Sequence, residues 1–401
     1  MPATIGGLPN DTKADTGGVK ILVLNWRDIK HPLAGGAEAS VREHARHWMS
    51  RGASVTWFSS SFDGAQPVED DGGILVVRRG SQYTVHFWAW LYYLRGTFGD
   101  VDVIVDNFHF LPFFSPLYAR HVRIVPLIQE VARDVWYDNI ARPIAFVGYY
   151  LESLFFLPYR GKAFITGSAS AKTDLVGLGI RAQDVAVIHH GVSLPAELVT
   201  KEKASQPTLL FLNRISEDKG IRDALSLFAG LRAELPLLTL WIGGKEEKPG
   251  MLAQLLSEFQ LAGDPNITYF GFVDESEKFS LMARAWLLIH PSRREGWGLT
   301  VIEAAGVGTP TVGYDVPGLR DSIRDGITGR LVAPGTSMAG PVRALLNETA
   351  ARIRMREAAV DWSTNFDWGK AGEASWEVIT GEMVRSSAEV RQGGDRAAGA
   401  R

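Results

Sequence analysis

Short apolar runs alternate with stretches of helical period along this 401-residue chain. Val19–Leu24 is an almost unbroken run of β-branched residues and leucine, the pattern of a strand buried on both faces of a parallel sheet. A loop with Gly35-Gly36 follows, and then Ala37, Val41, Ala45 and Trp48 mark one face of a helix that stops at Gly52. Further strands are predicted at Val55–Phe58, Ile74–Val77, Val101–Val105, Ile124–Ile128, Ala163–Thr166 and Val185–Ile188. Residues 136–160 read as helix with a break near Pro143. From Pro195 to Pro207 the chain is polar and reads as a linker. A second series then places strands at Thr208–Leu212, Leu237–Ile242, Ile267–Phe270, Trp286–His290 and Thr311–Val312, with helices at 221–233 and 251–261. Strands alternating with helices twice over predict two doubly wound α/β domains. Open parallel sheets bind ligands beyond the carboxyl ends of their strands, so chemistry is expected in the loops that follow strands.

Composition narrows the class. At 46% hydrophobic and 22% charged residues the chain suits an ordinary globular protein, which excludes extended disorder and a coiled coil. Its net charge of −3 offers no electrostatic footprint for sequence-independent nucleic-acid binding. With no cysteine, disulfide scaffolds, thiolate zinc sites and cysteine nucleophiles are excluded. No apolar run reaches the roughly 18 residues of a membrane-spanning helix. Residues 1–18 lack the pattern of a signal peptide and are expected to be a disordered tail, as are 387–401. The expected location is the cytoplasm.

Three segments carry candidate chemistry. In 290–306 (HPSRREGWGLTVIEAAG) a strand ends, a glycine-containing loop follows, and a helix begins near Leu299. Glu295 lies in the loop and Glu303 eight positions on, in the helix. The N–H groups of such a helix start suit a phosphate or a sugar hydroxyl, and a carboxylate suits a ribose diol. By spacing alone, a solvated loop acid and a helix-surface acid explain the pair equally well. In 211–220 (FLNRISEDKG) the cations Arg214 and Lys219 follow a strand. Both can serve a diphosphate, arginine by a two-pronged donor fork and lysine as a point charge; alone, the pair also fits a charged loop. In Ala34-Gly35-Gly36-Ala37-Glu38 two glycines open a helix and let backbone approach a ligand.

Taken together, these segments resemble retaining glycosyltransferases of family 4. EGWGLTVIEAAGVGTPTVGYDVPGLRDSIRDGITGRLV is similar to that family's donor-site signature, NRISEDKG to its R-x4-K pair, and GGAE to its acceptor-side glycine loop. The resemblance spans roughly residues 19 to 385 and is strongest at 208–335. It implies the GT-B fold, two Rossmann-like doubly wound domains facing a central cleft. Residues 19–195 would form the acceptor domain and 196–365 the nucleotide-sugar donor domain, and a helix at 366–386 would cross back to the N-terminal domain. Arg214, Lys219 and Glu295 would be catalytic, the two cations on the donor diphosphate. Glu303 would bind the ribose. Glu295 and the backbone of Gly296, Trp297, Gly298 and Leu299 would hold the donor sugar and β-phosphate. Gly243 and Gly244 would border the nucleotide, Phe272 and Val273 would flank the base, and Gly36 would lie near the donor phosphate. The family's reaction needs no enzyme nucleophile, no metal and no cofactor beyond the donor itself.

Gly35, His109, Gln129 and Glu130 are further candidates for sugar or acceptor contacts. One departure stands among them: where family members commonly carry a histidine after the strand at Ile124–Ile128, this chain has Gln129-Glu130. Asp100-Val101-Asp102 matches a metal-binding D-x-D pattern but opens a strand instead of following one, so it is read as structural. Residues 82–95 pack six aromatics beside Arg78, Arg79 and Arg95, which fits either a buried helix or peripheral contact with a membrane's inner face. The expected function is metal-independent, retaining transfer of a hexose from a nucleotide-diphosphate sugar to a sugar or lipid-linked acceptor, in cell-envelope or other glycan or glycolipid synthesis. The rivals are a non-catalytic nucleotide-sugar-binding partner in a glycan-assembly complex and another GT-B reaction, phosphorolysis or epimerisation.

Overall fold

The apolar runs become strands of two separate sheets in the computed structural model, which describes residues 18–108, 111–131, 142–195 and 202–381. The chain divides into two compact units. One takes in the residues up to Gly167, Ala171–His189 and everything from Trp368 on; the other is Ser168–Ser170 and His190–Asp367.

In the first unit the strands are β1 (Lys20–Leu24), β2 (Ser54–Ser59), β3 (Val68–Asp71), β4 (Ile74–Arg78), β5 (Val103–Phe108), β6 (Arg123–Ile128), β7 (Phe164–Thr166) and β8 (Val185–Val187). Their order is β3-β4-β2-β1-β5-β6-β7-β8, and every pairing is parallel except the β3–β4 hairpin. Ile21 pairs with Val55 on one side and Val103 on the other, which explains why the β1 run is apolar at successive positions: both faces are covered. Helices α1 (Gly36–Ser50), α2 (Val85–Leu94), α3 (Ser115–Tyr118), α4 (Arg142–Phe155) and α5 (Ala169–Gly177) connect these strands. On one face α1 buries Val41, Ala45 and Trp48 against Ile21, Val23, Val103 and Val105. On the other, α2 buries Val85, Ala89 and Tyr92 against Leu22, Leu24 and Ile104.

In the second unit β9 (Thr208–Leu212), β10 (Thr239–Gly243), β11 (Ile267–Tyr269), β12 (Leu287–His290), β13 (Thr311–Tyr314) and β14 (Gly329–Val332) form an all-parallel sheet, order β11-β10-β9-β12-β13-β14. Its helices are α6 (Ile221–Arg232), α7 (Met251–Glu258), α8 (Glu275–Arg284), α9 (Leu299–Gly306), α10 (Leu319–Ser322), α11 (Ala339–Asn347) and α12 (Thr349–Ser363). The last helix, α13 (Trp368–Thr380), returns to the first unit. It packs on α1, where Trp48 Nε1 donates to Ser375 Oγ at 2.8 Å and His47 Nε2 pairs with Glu373 at 2.9 Å.

Several expectations shift. The run read as a strand at Val101–Val105 lies three residues later at its end, because Asp102 caps the sheet edge instead: its carboxylate accepts from Lys20 N at 2.8 Å. The helix expected at 136–160 is described from Arg142 to Phe155, followed by a tight 3-10 turn at Leu157–Tyr159; residues 132–141 lie outside the described residues. Also outside them are His109, residues 1–17, residues 196–201 of the linker, and 382–401. Two strands, β3 and β14, were absent from the pattern. Both are edge strands whose runs carry charge or glycine, VEDD in β3 and GRLV in β14, and neither prints an apolar run.

Candidate functional site

In each sheet the connections run off in both directions from the first strand, β1 or β9, and this is where an open α/β sheet leaves a crevice at its carboxyl edge. The candidates of the second unit lie on loops at that edge. The loop 213–220 follows β9, the loop 291–298 follows β12, and β9 and β12 are neighbours. The two loops are tied together: Arg293 N donates to Asp218 O at 3.0 Å. Gly220 makes this possible. It adopts φ +75°, and a Cβ there would sit 2.1 Å from the Pro291 carbonyl oxygen, so only glycine allows the approach. Gly298 likewise turns into the left-handed region, φ +87°, to start α9 with its first N–H groups unpaid by any side-chain cap.

Arg214, Lys219 and Glu295 on these loops are each paired. Arg214 Nη2 donates to Asp218 at 3.0 Å. Lys219 Nζ donates to Glu295 Oε1 at 2.8 Å, and His290 Nε2 lies 3.1 Å from the same oxygen. Burial pushes the Glu295 carboxyl up. The charge of Lys219 and the hydrogen bond from His290 outweigh it and hold Glu295 well below the usual carboxylate range. Glu303, on α9, meets a different cation: Lys278 Nζ of α8 donates to its Oε1 at 2.6 Å. There burial wins and the Glu303 carboxyl is pushed up, with Lys278 opposing.

Around this centre the other candidates divide. Gly243 ends β10, and Gly244 N donates to Gly271 O at 2.7 Å, joining the loops after β10 and β11. Beyond that junction the Phe272 ring is 70% exposed, with Lys245 Nζ 4.6 Å from its centroid; a flat, exposed ring at a strand mouth suits stacking on a base. Val273 instead packs against the core beside Gly243. Trp297 turns its side chain inward, where its ring meets Phe366 edge-on at 5.0 Å. Gly296, Gly298 and Leu299 present backbone at the start of α9.

In the first unit Gly35 and Gly36 open α1 after β1. Glu38, fully buried, accepts from Gly35 N at 2.8 Å with one oxygen and from Arg27 Nε at 3.1 Å with the other, while Arg27 Nη1 donates to Leu33 O at 2.7 Å. The glycine loop is thus held from both ends. Gln129 is buried at the end of β6, with its Oε1 unpartnered among the described residues, and Glu130 beside it is exposed.

Sequence reasoning missed Arg27, Lys278 and His290, whose partners come from other elements. The role of Glu38 was readable: it stands three residues after Gly35, the reciprocal position of a capping box.

Two doubly wound parallel sheets, each with glycine-rich and charged loops at its carboxyl edge, define a GT-B protein. Profiles of two families match it in succession: Glycosyltransferase Family 4 over residues 34–195 and Glycosyl transferases group 1 over 197–362. The chain belongs to the family 4 glycosyltransferases. Among curated proteins it is 30% identical over 224 residues to a glycogen synthase of Mycobacterium tuberculosis, 54% of this chain and 53% of that one. It is 27% identical over 385 residues to a D-inositol 3-phosphate glycosyltransferase of Catenulispora acidiphila, 84% of this chain and 88% of that one. The chain spans about half the length of the first relatives it matches. Among solved structures, Anabaena HepE in complex with UDP and glucose superposes with TM-score 0.69 at 18% identity, covering 90% of this chain and 100% of that one. Sucrose-phosphate synthase of Thermosynechococcus elongatus superposes with TM-score 0.72 at 18% identity, covering 93% and 100%.

Proposed function

We propose that this protein transfers a hexose from a nucleotide-diphosphate sugar to an acceptor hydroxyl, with retention and without a metal ion. The observation that carries the reading is the joining of the two loops at the switch point of the second sheet. Through it Arg214, Lys219 and Glu295 share one carboxyl edge with the start of α9, the helix that bears Glu303. Two cations there would balance the charge that grows on a departing nucleoside diphosphate, the role a metal fills in other folds. Their pairing with Asp218 and Glu295 holds both side chains in place before a ligand arrives. The N–H groups at the start of α9 would take the β-phosphate, Glu303 the ribose diol, and Phe272 the base. The relatives' names, glycogen synthase and D-inositol 3-phosphate glycosyltransferase, and a structural neighbour holding UDP and glucose, support a nucleotide-sugar donor.

The acceptor half is proposed on the first unit, near Gly35, Gly36, Gln129 and Glu130. A lipid-linked acceptor in glycan or glycolipid synthesis suits that unit, because α2 leaves Phe87, Trp90 and Leu94 exposed beside the exposed Arg95.

The test is a thermal-shift screen with UDP-, GDP- and ADP-hexoses, where donor at 100 times its dissociation constant stabilises by about 2.7 kcal/mol. Product analysis in EDTA follows. Free nucleoside diphosphate with a glycoside of unchanged anomeric configuration is expected, and Glu303→Ala should abolish it with the circular dichroism unchanged. Sugar phosphate as product would point to phosphorolysis instead. Nucleotide binding with no turnover on any acceptor would make the chain a non-catalytic partner.

A further inference from the structure

Glu303 is held by a residue from outside the signature that contains it. Lys278 lies in the first turns of α8, whose start is fixed by Asp274: that carboxylate caps the helix by accepting from Glu277 N at 2.8 Å. Lys278 Nζ reaches Glu303 Oε1 at 2.6 Å, lies 4.0 Å from Glu275, and sits 4.6 Å from the centroid of the Phe279 ring. The Lys278 side chain is 24% exposed and that of Glu303 11%, so this is a short, charge-assisted bond in a mostly desolvated place, unlike a surface pair.

We propose that Lys278 is a positioning residue for the nucleotide: it keeps the Glu303 carboxylate anionic and oriented, so that it can accept from both hydroxyls of a ribose diol. The proposal rests on the reading of Glu303 as the ribose ligand. Its chemistry is simple. An ionised carboxylate only accepts, through two oxygens, whereas a protonated one gives up part of that capacity to carry a donor. Lys278 occupies one lone pair of Oε1 and leaves the rest.

The charges around Glu303 make the dependence on Lys278 specific. Burial pushes the carboxyl up, and Glu275 of α8 adds to this; Lys278 is the cation that opposes them. Several charged groups on the other elements packed around α9 have partners or neighbours of their own. Arg352 of α12 stacks over Trp286, and Arg356 lies against Gly308. Arg320 of α10 bonds Asp315, and Asp321 accepts from Gly318 N. His290 of β12 faces Glu295.

Binding of UDP, GDP and ADP is measured by calorimetry at pH 6.0 and 8.5 on the native chain, Lys278→Met, Lys278→Arg and Glu303→Gln, with circular dichroism to confirm folding. Without the cation the Glu303 carboxyl is pushed up further, so the loss of affinity in Lys278→Met should be at least about threefold greater at pH 6.0 than at pH 8.5. Lys278→Arg should restore the native profile, and Glu303→Gln should be weak at both pH values. Weakening of Lys278→Met by the same factor at both pH values, or no rescue by arginine, would mean a merely structural lysine and overturn the proposal. Native affinity in Lys278→Met with a weak Glu303→Gln would overturn it while leaving the ribose reading intact. Native affinity in Glu303→Gln, or no nucleotide bound by the native chain, would defeat the ribose reading and this proposal with it.

Discussion

Lys219 and Glu295 show how much a single pair at the edge of a sheet can govern. Their side chains are 20% and 15% exposed, so Glu295 depends on Lys219 and His290 to stay charged. Removing the lysine leaves a desolvated carboxylate with half its support. Breaking a fully buried pair costs about 3–5 kcal/mol; for this partly wetted one, Lys219→Met is expected to cost about 2 kcal/mol in urea unfolding at pH 7. Lys219→Met/Glu295→Gln should recover most of that loss, because no unpaired charge remains. The pH dependence has a definite sign. The folded-state pKa of Glu295 is depressed below its ordinary 4.5, so the unfolded chain binds the proton first as pH falls. The stabilisation is therefore complete above pH 4.5 and is lost progressively below it. Lys219→Met should show a shallower acid limb than the native protein. Equal limbs would mean that the pair does not form in solution. Of these residues the sequence displayed Arg214, Lys219, Glu295 and Glu303 as a spacing. It could not display that Lys219 faces Glu295 while Lys278 faces Glu303, since those partners stand 76 and 25 positions apart and only the sheet order and the helix packing bring them together.

At the scale of elements, apolar strands were legible even at three residues, and the edge strands β3 and β14 were not, for a physical reason. β1 and β9 are covered on both faces and read as almost continuous apolar runs, whereas β3 reads VEDD and lies on an edge. Loop geometry was legible only where glycine marks it. Gly220 illustrates what such a mark conceals. It looks like an ordinary helix start, yet its role is to let the loop after β9 touch the strand end of β12. Gly220→Val would place a branched side chain at φ +75° and against the Pro291 carbonyl. Strain of this kind costs about 1–3 kcal/mol, and the loop must shift to relieve it. A fall in the urea midpoint of that order is expected, together with at least a tenfold loss of nucleotide affinity by calorimetry, because Lys219 is the neighbouring residue. A variant that loses stability but keeps native affinity would show that the contact with Pro291 does not set the position of Lys219.

Over the whole molecule, the twelve tryptophans and the near-neutral charge bear on one question. Trp48, Trp57 and Trp297 are fully buried core residues, so the tryptophan count is explained in part by packing. Trp90 is different. Residues 82–95 were open to two readings, and the structure divides them: α2 buries Val85, Ala89 and Tyr92 and leaves Phe87, Trp90 and Leu94 on its outer side. Nearby, α3 exposes Leu117, and it touches both α2 and the turn that ends α4. α4 itself exposes Phe146, Tyr150 and Leu154 at helical spacing. Three elements of one unit thus present apolar side chains to solvent, the sort of surface that a lipid interface covers. A net charge of −3 gives no long-range attraction to an anionic bilayer, so the affinity must come from apolar area, with Arg95 as a local contact. Sedimentation with phosphatidylglycerol and phosphatidylcholine vesicles should therefore show binding to both, within a few-fold of each other, that survives 0.5 M salt, since added salt screens charge and does not weaken apolar burial. Full burial of a large apolar side chain is worth about 1.5–3 kcal/mol, and Phe87 and Trp90 are already partly covered, so Phe87→Ser/Trp90→Ser should weaken binding by at least tenfold. Donor hydrolysis in the absence of vesicles should be unchanged in that variant, because both residues belong to the first unit and the proposed donor loops to the second. If the native chain fails to sediment with either vesicle, this apolar surface serves something other than a membrane, and the lipid-linked acceptor loses its main support.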